Sequence, residues 1–138
     1  MNIAVRYYTQ SGNTAKIANA IAHAAGVQAA PLSDGLSEKT DLLFLGSSLY
    51  KFGCDPAIEA FLKDNAAHIG TIALFGTSAS GGSTHRQVEA LAQKYGVALC
   101  EKEFACLGHF LFLHKDRPNA DDEQAAAQFA RELIHDLA

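Results

Sequence analysis

No paired-cysteine motif, basic stripe or membrane-length apolar run occurs in this chain of 138 residues, and each absence removes a class of protein. The three cysteines, Cys54, Cys100 and Cys106, are odd in number and include no Cys-x-x-Cys pair. That usage argues against a disulfide framework and against a zinc site. Formal net charge is -4 and no cluster of Lys or Arg appears, which is the wrong sign and the wrong pattern for a nucleic-acid binder. The longest apolar runs, "LLFL" at 42–45 and "FLFL" at 110–113, are far too short to span a bilayer. The opening "MNIAVRYYTQ" lacks the basic flank, apolar core and small-residue cleavage site of a secretory leader. The expectation is a cytoplasmic protein with no membrane insertion and no nucleic-acid partner.

What is present is ordinary globular composition, 49% hydrophobic and 19% charged, with no repeat, linker or low-complexity tract. A chain of this length forms one domain, residues 1–138, and buries about two-thirds of its unfolded surface without a disulfide or metal. Apolar runs of strand length fall at about 2–8, 27–31, 41–47, 71–76 and 97–106. "DLLFLGS" and "TIALFGT" are nearly continuous, as parallel strands covered on both faces require.

Helical patterns separate the strands. Ile17, Ala18, Ile21, Ala22 and Ala25 share one face after "GNT". "CDPAIEAFLKDN" offers Asp55 as N-cap and Pro56 at the first helical position, with Ile58, Phe61 and Leu62 turned inward. Val88, Leu91, Ala92 and Tyr95 line a third helix. A last helix spans about 120–137, with Asp121, Asp122 and Glu123 at its positive end and Phe129, Ala130, Leu133, Ile134 and Leu137 facing the core. Segment 32–40, "LSDGLSEKT", is too polar and broken for a helix. Alternation of strand and helix implies right-handed crossovers and a doubly wound α/β sheet. Ligands of such sheets bind beyond the carboxyl ends of the strands, where strand order reverses.

Three loops follow strands at that rim. "TQSGNT" (9–14) presents the hydroxyls of Thr9, Ser11 and Thr14, the Asn13 amide and a permissive Gly12 ahead of a helix start. This set can surround a phosphate dianion with neutral donors, and it can equally be an ordinary N-cap. "GTSASGGS" (76–83) has the outline of a P-loop, with Gly76, Gly81 and Ser83 fitting, but Gly82 stands where the phosphate-reaching lysine is needed. It reads as a pliable turn beside a flat polar ligand or as a plain glycine-rich connection. "GSSLYKFGC" (46–54) puts Tyr50 and Phe52 on a turn, where they can platform a planar ring or fold back into the core.

Together "TQSGNT", "LGSSLYKFG" and "LFGTSASGG" resemble the three flavin-mononucleotide loops of the flavodoxins, the short-chain kind in particular. The resemblance covers essentially the whole chain. It implies a flavodoxin-like, doubly wound five-stranded parallel sheet in the order 2-1-3-4-5, non-covalent FMN and electron transfer. By resemblance, Thr9, Ser11, Gly12, Asn13 and Thr14 would hold the phosphate, with Gln10 lending its backbone N–H. Ser48, Leu49, Tyr50, Lys51, Phe52 and Gly53 would flank one side of the isoalloxazine. Thr77, Ser78, Ala79, Ser80, Gly81 and Gly82 would flank the other and meet its pyrimidine edge. Two departures stand out: no Trp anywhere and no aromatic at 77–83 to stack on the ring, and Lys51 where the family favours acids.

Other users of this fold class fit less well. A phosphoacceptor receiver needs an aspartate at the end of the third strand, which here reads "LGSS", and no cysteine has the arginine spacing of a low-molecular-weight phosphatase. His23, His68, His85, His109, His114 and His135 are scattered without metal spacing, and Cys54 reads as an idle thiol. Two functions follow from the resemblance. One is a monomeric electron carrier between a donor reductase and an acceptor enzyme, steered by the carboxylates of "CDPAIEAFLKD". The other is a flavin-dependent reductase acting on a small acceptor such as a quinone or tetrapyrrole.

Lys51 yields a prediction. A charge about 8 Å from the ring, at an effective dielectric of about 20, contributes roughly 2 kcal/mol before screening. Potentiometry of Lys51→Glu is expected to show a lower potential for uptake of the second electron, and an unchanged potential would put the ammonium in solvent.

Overall fold

Nearly unbroken apolar runs become the middle of the sheet. In the computed structural model, which describes residues 1–9, 12–48, 55–108 and 114–138, Leu42 to Leu45 are fully buried within strand β3 (Thr40–Ser48). Strand β4 (Ile69–Ser78) runs parallel beside it, from Thr40 opposite Ile69 to Ser48 opposite Thr77. Strand β1 (Ile3–Tyr7) pairs with the other side of β3, and β2 (Ala29–Pro31) forms that edge. Every pairing is parallel, and the order β2-β1-β3-β4-β5 is the expected 2-1-3-4-5.

The fifth strand departs from expectation. Instead of one run over 97–106, β5 (Ala98–Leu99) pairs with Thr71 and Ile72, and β6 (Phe104–Leu107) pairs with Phe75 to Ser78. Between them Cys100 to Glu103 pass opposite Ala73 and Leu74 of β4. Four residues cannot lie in register with two, so the chain bulges outward at "CEKE", where Glu101 and Lys102 are exposed. Charge at an edge also discourages pairing with another sheet.

Helices α1 (Asn13–Ala25) and α4 (Ala120–Leu137) cover one face of the sheet, packing Ile17, Ile21, Ala126, Ala130 and Leu133 against Val5 and Phe44. Helices α2 (Pro56–Asn65) and α3 (His85–Tyr95) cover the other with Ile58, Phe61, Leu62, Val88 and Ala92. Asp55 caps α2 as expected, its carboxylate accepting from Ala57 N–H at 2.9 Å. The link from β2 to β3 holds a single 3-10 turn, Leu32–Asp34, in place of a helix.

At the start of α4, Asn119 and Asp122 exchange side-chain and backbone hydrogen bonds at 2.9 and 3.0 Å. Arg117 clamps Asp122 with Nε and Nη2 at 2.6 and 2.7 Å, and this pairing holds the Asp122 carboxyl below the usual range. Burial, with the Asp122 charge adding to it, pushes the Cys106 thiol up to about 12. Leu137, expected to face the core, is instead 46% exposed in the last turn of the helix. No helix among the described residues is long and apolar enough to cross a membrane, and no group of three His, Cys, Asp or Glu among them is arranged for a metal.

Close strand approach depends on Gly76, where a Cβ would overlap the Ser47 carbonyl oxygen of β3. Gly76→Ala is expected to cost about 1–3 kcal/mol, read as a lower urea midpoint with unchanged slope. A midpoint equal to that of the wild type would contradict this packing.

Candidate functional site

Register places the carboxyl ends of β1, β3 and β4 together, with Tyr7 beside Gly46 and Ser48 beside Thr77. The chain leaves β1 toward β2 on one side and lies against β3 on the other, so this rim is the switch in strand order.

The first loop is shaped by Gly12, which takes φ +86°, a left-handed conformation open to glycine and costly for other residues. Its N–H donates to Thr9 Oγ1 at 3.0 Å. Gly12 is itself the N-cap of α1, so among the described residues the cap position of this helix is a glycine that offers no side-chain bond. Asn13 and Thr14 instead lie inside the first turn, 7% and 0% exposed. The Asn13 amide packs under the strand-end Gly108: a Cβ there would stand 2.9 Å from Asn13 Nδ2 and 3.1 Å from Thr77 Cβ.

Thr14 is the hinge pin of the rim. Its Oγ1 lies 2.9 Å from Ser48 Oγ and 3.1 Å from Thr77 Oγ1, and those two are 3.3 Å apart. This closed triangle of buried hydroxyls draws one residue from each of α1, β3 and β4. A second bond, Ser47 Oγ to Thr84 Oγ1 at 3.2 Å, ties β3 to the start of α3.

The third loop curls on its own serines. Ser78 Oγ donates to the Gly82 carbonyl at 3.1 Å, Gly82 N–H donates to Ser80 Oγ at 3.3 Å, and Gly81 takes φ +77°. Beyond it, Ser83 Oγ donates to Glu103 at 2.6 Å and accepts from His85 N–H at 2.9 Å. The "CEKE" bulge thus anchors the end of this loop. Among the sequence-derived candidates, the structure brings Thr9, Gly12, Asn13, Thr14, Ser48, Thr77, Ser78, Ala79, Ser80, Gly81 and Gly82 to one rim. Gln10, Ser11, Leu49, Tyr50, Lys51, Phe52 and Gly53 lie outside the described residues, as does Cys54.

Two rim residues escaped the sequence reading. Gly108, directly after β6, carried a signal: it is a glycine at the end of a strand on the same rim. His114, whose Nε2 lies 3.0 Å from the Ala79 carbonyl, carried none. Of the carboxylates expected to steer a partner, Asp55 caps α2, and Glu59 accepts from Lys94 and Tyr95, both at 2.8 Å. Those bonds, that from Lys94 foremost, lower the Glu59 pKa.

The triangle predicts energetic coupling across the rim. In a double-mutant cycle with Thr14→Val and Ser48→Ala, unfolding free energies are expected to depart from additivity by about 0.5–3 kcal/mol. Strict additivity would mean that the hydroxyls act independently.

No family model matches the sequence, and no curated protein matches it significantly. Solved structures do match in shape. A flavodoxin from the domain Archaea superposes with a TM-score of 0.80 at 20% identity, over 99% of this chain and 98% of that one. Oxidised Flavodoxin 1 from Bacillus cereus gives 0.72 at 19% identity, with 100% of both chains covered. Rubredoxin oxygen:oxidoreductase from Desulfovibrio gigas gives 0.72 at 14% identity, over 99% of this chain and 37% of that one. Strand order, helix placement and these superpositions agree: the chain has the flavodoxin-like fold.

Proposed function

We propose that this protein binds FMN non-covalently and works as a monomeric cytoplasmic electron carrier between redox partner proteins, a donor reductase and an acceptor enzyme. The observation that carries the reading is the convergence of the Thr14, Ser48 and Thr77 hydroxyls beside a helix start whose N-cap is a glycine. It supports a site for an anion. Among the described residues, a Cβ built on Gly12 meets nothing within 4 Å. Hydroxyl hydrogens rotate to suit the acceptor they face, so the triangle can turn a donor outward without moving a heavy atom. The donor set is neutral, and the helix dipole supplies the remaining attraction for a phosphate.

Thr9, Ser11, Gly12, Asn13 and Thr14, with the Gln10 N–H, would hold the phosphate in this reading. Residues 48–53 and 77–82 would flank the ring, the second set offering backbone groups to its polar edge. FMN bound there supplies one- and two-electron redox chemistry. The chain's own contribution is to fix the phosphate, orient the ring and shield it from water between two loops. Absence of a dinucleotide fingerprint in the sequence and a net charge of -4 favour exchange with a basic protein partner over reaction with free NAD(P)H.

Titration of the apo-protein with FMN, riboflavin and FAD tests the reading. FMN is expected to bind at least about a hundredfold tighter than riboflavin, which corresponds to two charge-assisted hydrogen bonds of about 1.5 kcal/mol each. Its affinity should change little with salt, because no fixed positive charge is being screened. Equal affinity for FMN and riboflavin would refute the phosphate site. Rapid, saturable oxidation of the reduced protein by a quinone without a partner would replace the carrier with a reductase.

A further inference from the structure

His114 is the non-glycine residue with positive φ, +51°, among those described. Histidine enters the left-handed region more readily than most side chains, and an outlier of this kind persists where its surroundings fix it. Here the fixing comes from the start of α4. Arg117 N–H donates to the His114 carbonyl at 2.9 Å, and the Arg117 guanidinium is clamped on Asp122 at 2.6 and 2.7 Å.

From that point the imidazole reaches across to the third loop, with Nε2 at 3.0 Å from the Ala79 carbonyl. A carbonyl accepts and never donates, so Nε2 carries the hydrogen. Ser78, Ser80 and Gly82 are held within the loop itself, whereas the Ala79 carbonyl takes its hydrogen bond from outside. A trans peptide points its C=O and N–H in opposite directions. Holding the Ala79 carbonyl on His114 therefore turns the Ser80 N–H to the other side of the loop.

We propose that His114 is a positioning residue of this site. Through its bond to Ala79 it keeps the Ser80 N–H, rather than the Ala79 carbonyl, available to the electron-rich edge of a bound ring. A donor there favours the reduced cofactor, and a carbonyl in its place would oppose it. The proposal rests on the FMN reading above and adds to it a residue outside the three loops.

The test uses the full chain as wild type, His114→Gln, which keeps an N–H donor, and His114→Leu, which has none. Without cofactor, ring-nitrogen NMR is expected to show His114 in the Nε2–H form. Amide exchange at residues 79–82 is expected to be about fivefold faster in the Leu variant, the equivalent of one neutral hydrogen bond of about 1 kcal/mol, and near wild type in the Gln variant. With FMN, the Leu variant is expected to bind about fivefold more weakly and to show a lower reduction potential, with both restored by Gln. A ring carrying its hydrogen on Nδ1, a Leu variant that matches wild type, or a Gln variant as impaired as Leu would each overturn the proposal. A wild-type chain that takes up no FMN would defeat the functional reading instead, and the cofactor-free measurements would then decide whether His114 holds the loop.

Discussion

Three buried hydroxyls, one from each of three elements, set the terms for the rest of the rim. Thr14, Ser48 and Thr77 are 0%, 6% and 2% exposed, and each satisfies the others. A buried hydroxyl without a partner costs about 1–3 kcal/mol, so the start of α1 and the ends of β3 and β4 must meet or all lose. That requirement explains the glycines around it. Gly76 lets β4 lie against the Ser47 carbonyl and brings Thr77 level with Ser48; Gly108 leaves room for the Asn13 amide against Thr77.

The loop at 9–14 carries no lysine or arginine. An anion site built from a fixed cation is strong but salt-sensitive, and its charge also acts on whatever lies beside the anion. In the proposed site, neutral donors and a helix start would hold the anion and leave the electrostatics of the neighbouring ring to other groups. Those groups would be backbone donors of the third loop, oriented by Ser78, Ser80 and His114, and the side chain of Lys51. Binding and redox tuning would then fall to different residues, each reachable by a single substitution.

Much of this was legible in the sequence because it is local. Asp55 and Pro56 announce the start of α2, the unbroken "LLFL" announces a central parallel strand, and the broken, polar "LSDGLSEKT" forms a 3-10 turn and no α-helix. The strand order came from resemblance, since alternation alone leaves it open. What escaped depends on partners distant in sequence. The fifth strand splits at a bulge whose Glu103 accepts from Ser83, twenty residues earlier, and no local pattern in "CEKEFAC" reveals that partner. The sequence offers Thr14 as a hydroxyl donor, but nothing local shows that its Oγ1 meets Ser48 and Thr77. Leu137 satisfies the helical period, yet it is the last residue of α4 and stays exposed.

The central claim is that a phosphate dianion is held at the start of α1 by neutral donors. The ³¹P resonance of FMN added to the apo-protein tests it most directly. Free phosphate monoesters titrate near pH 6. The bound resonance is expected to be displaced from that of free FMN and constant between about pH 5.5 and 8, with the dianion stabilised throughout. A resonance that keeps the free position and titrates like free FMN would contradict it.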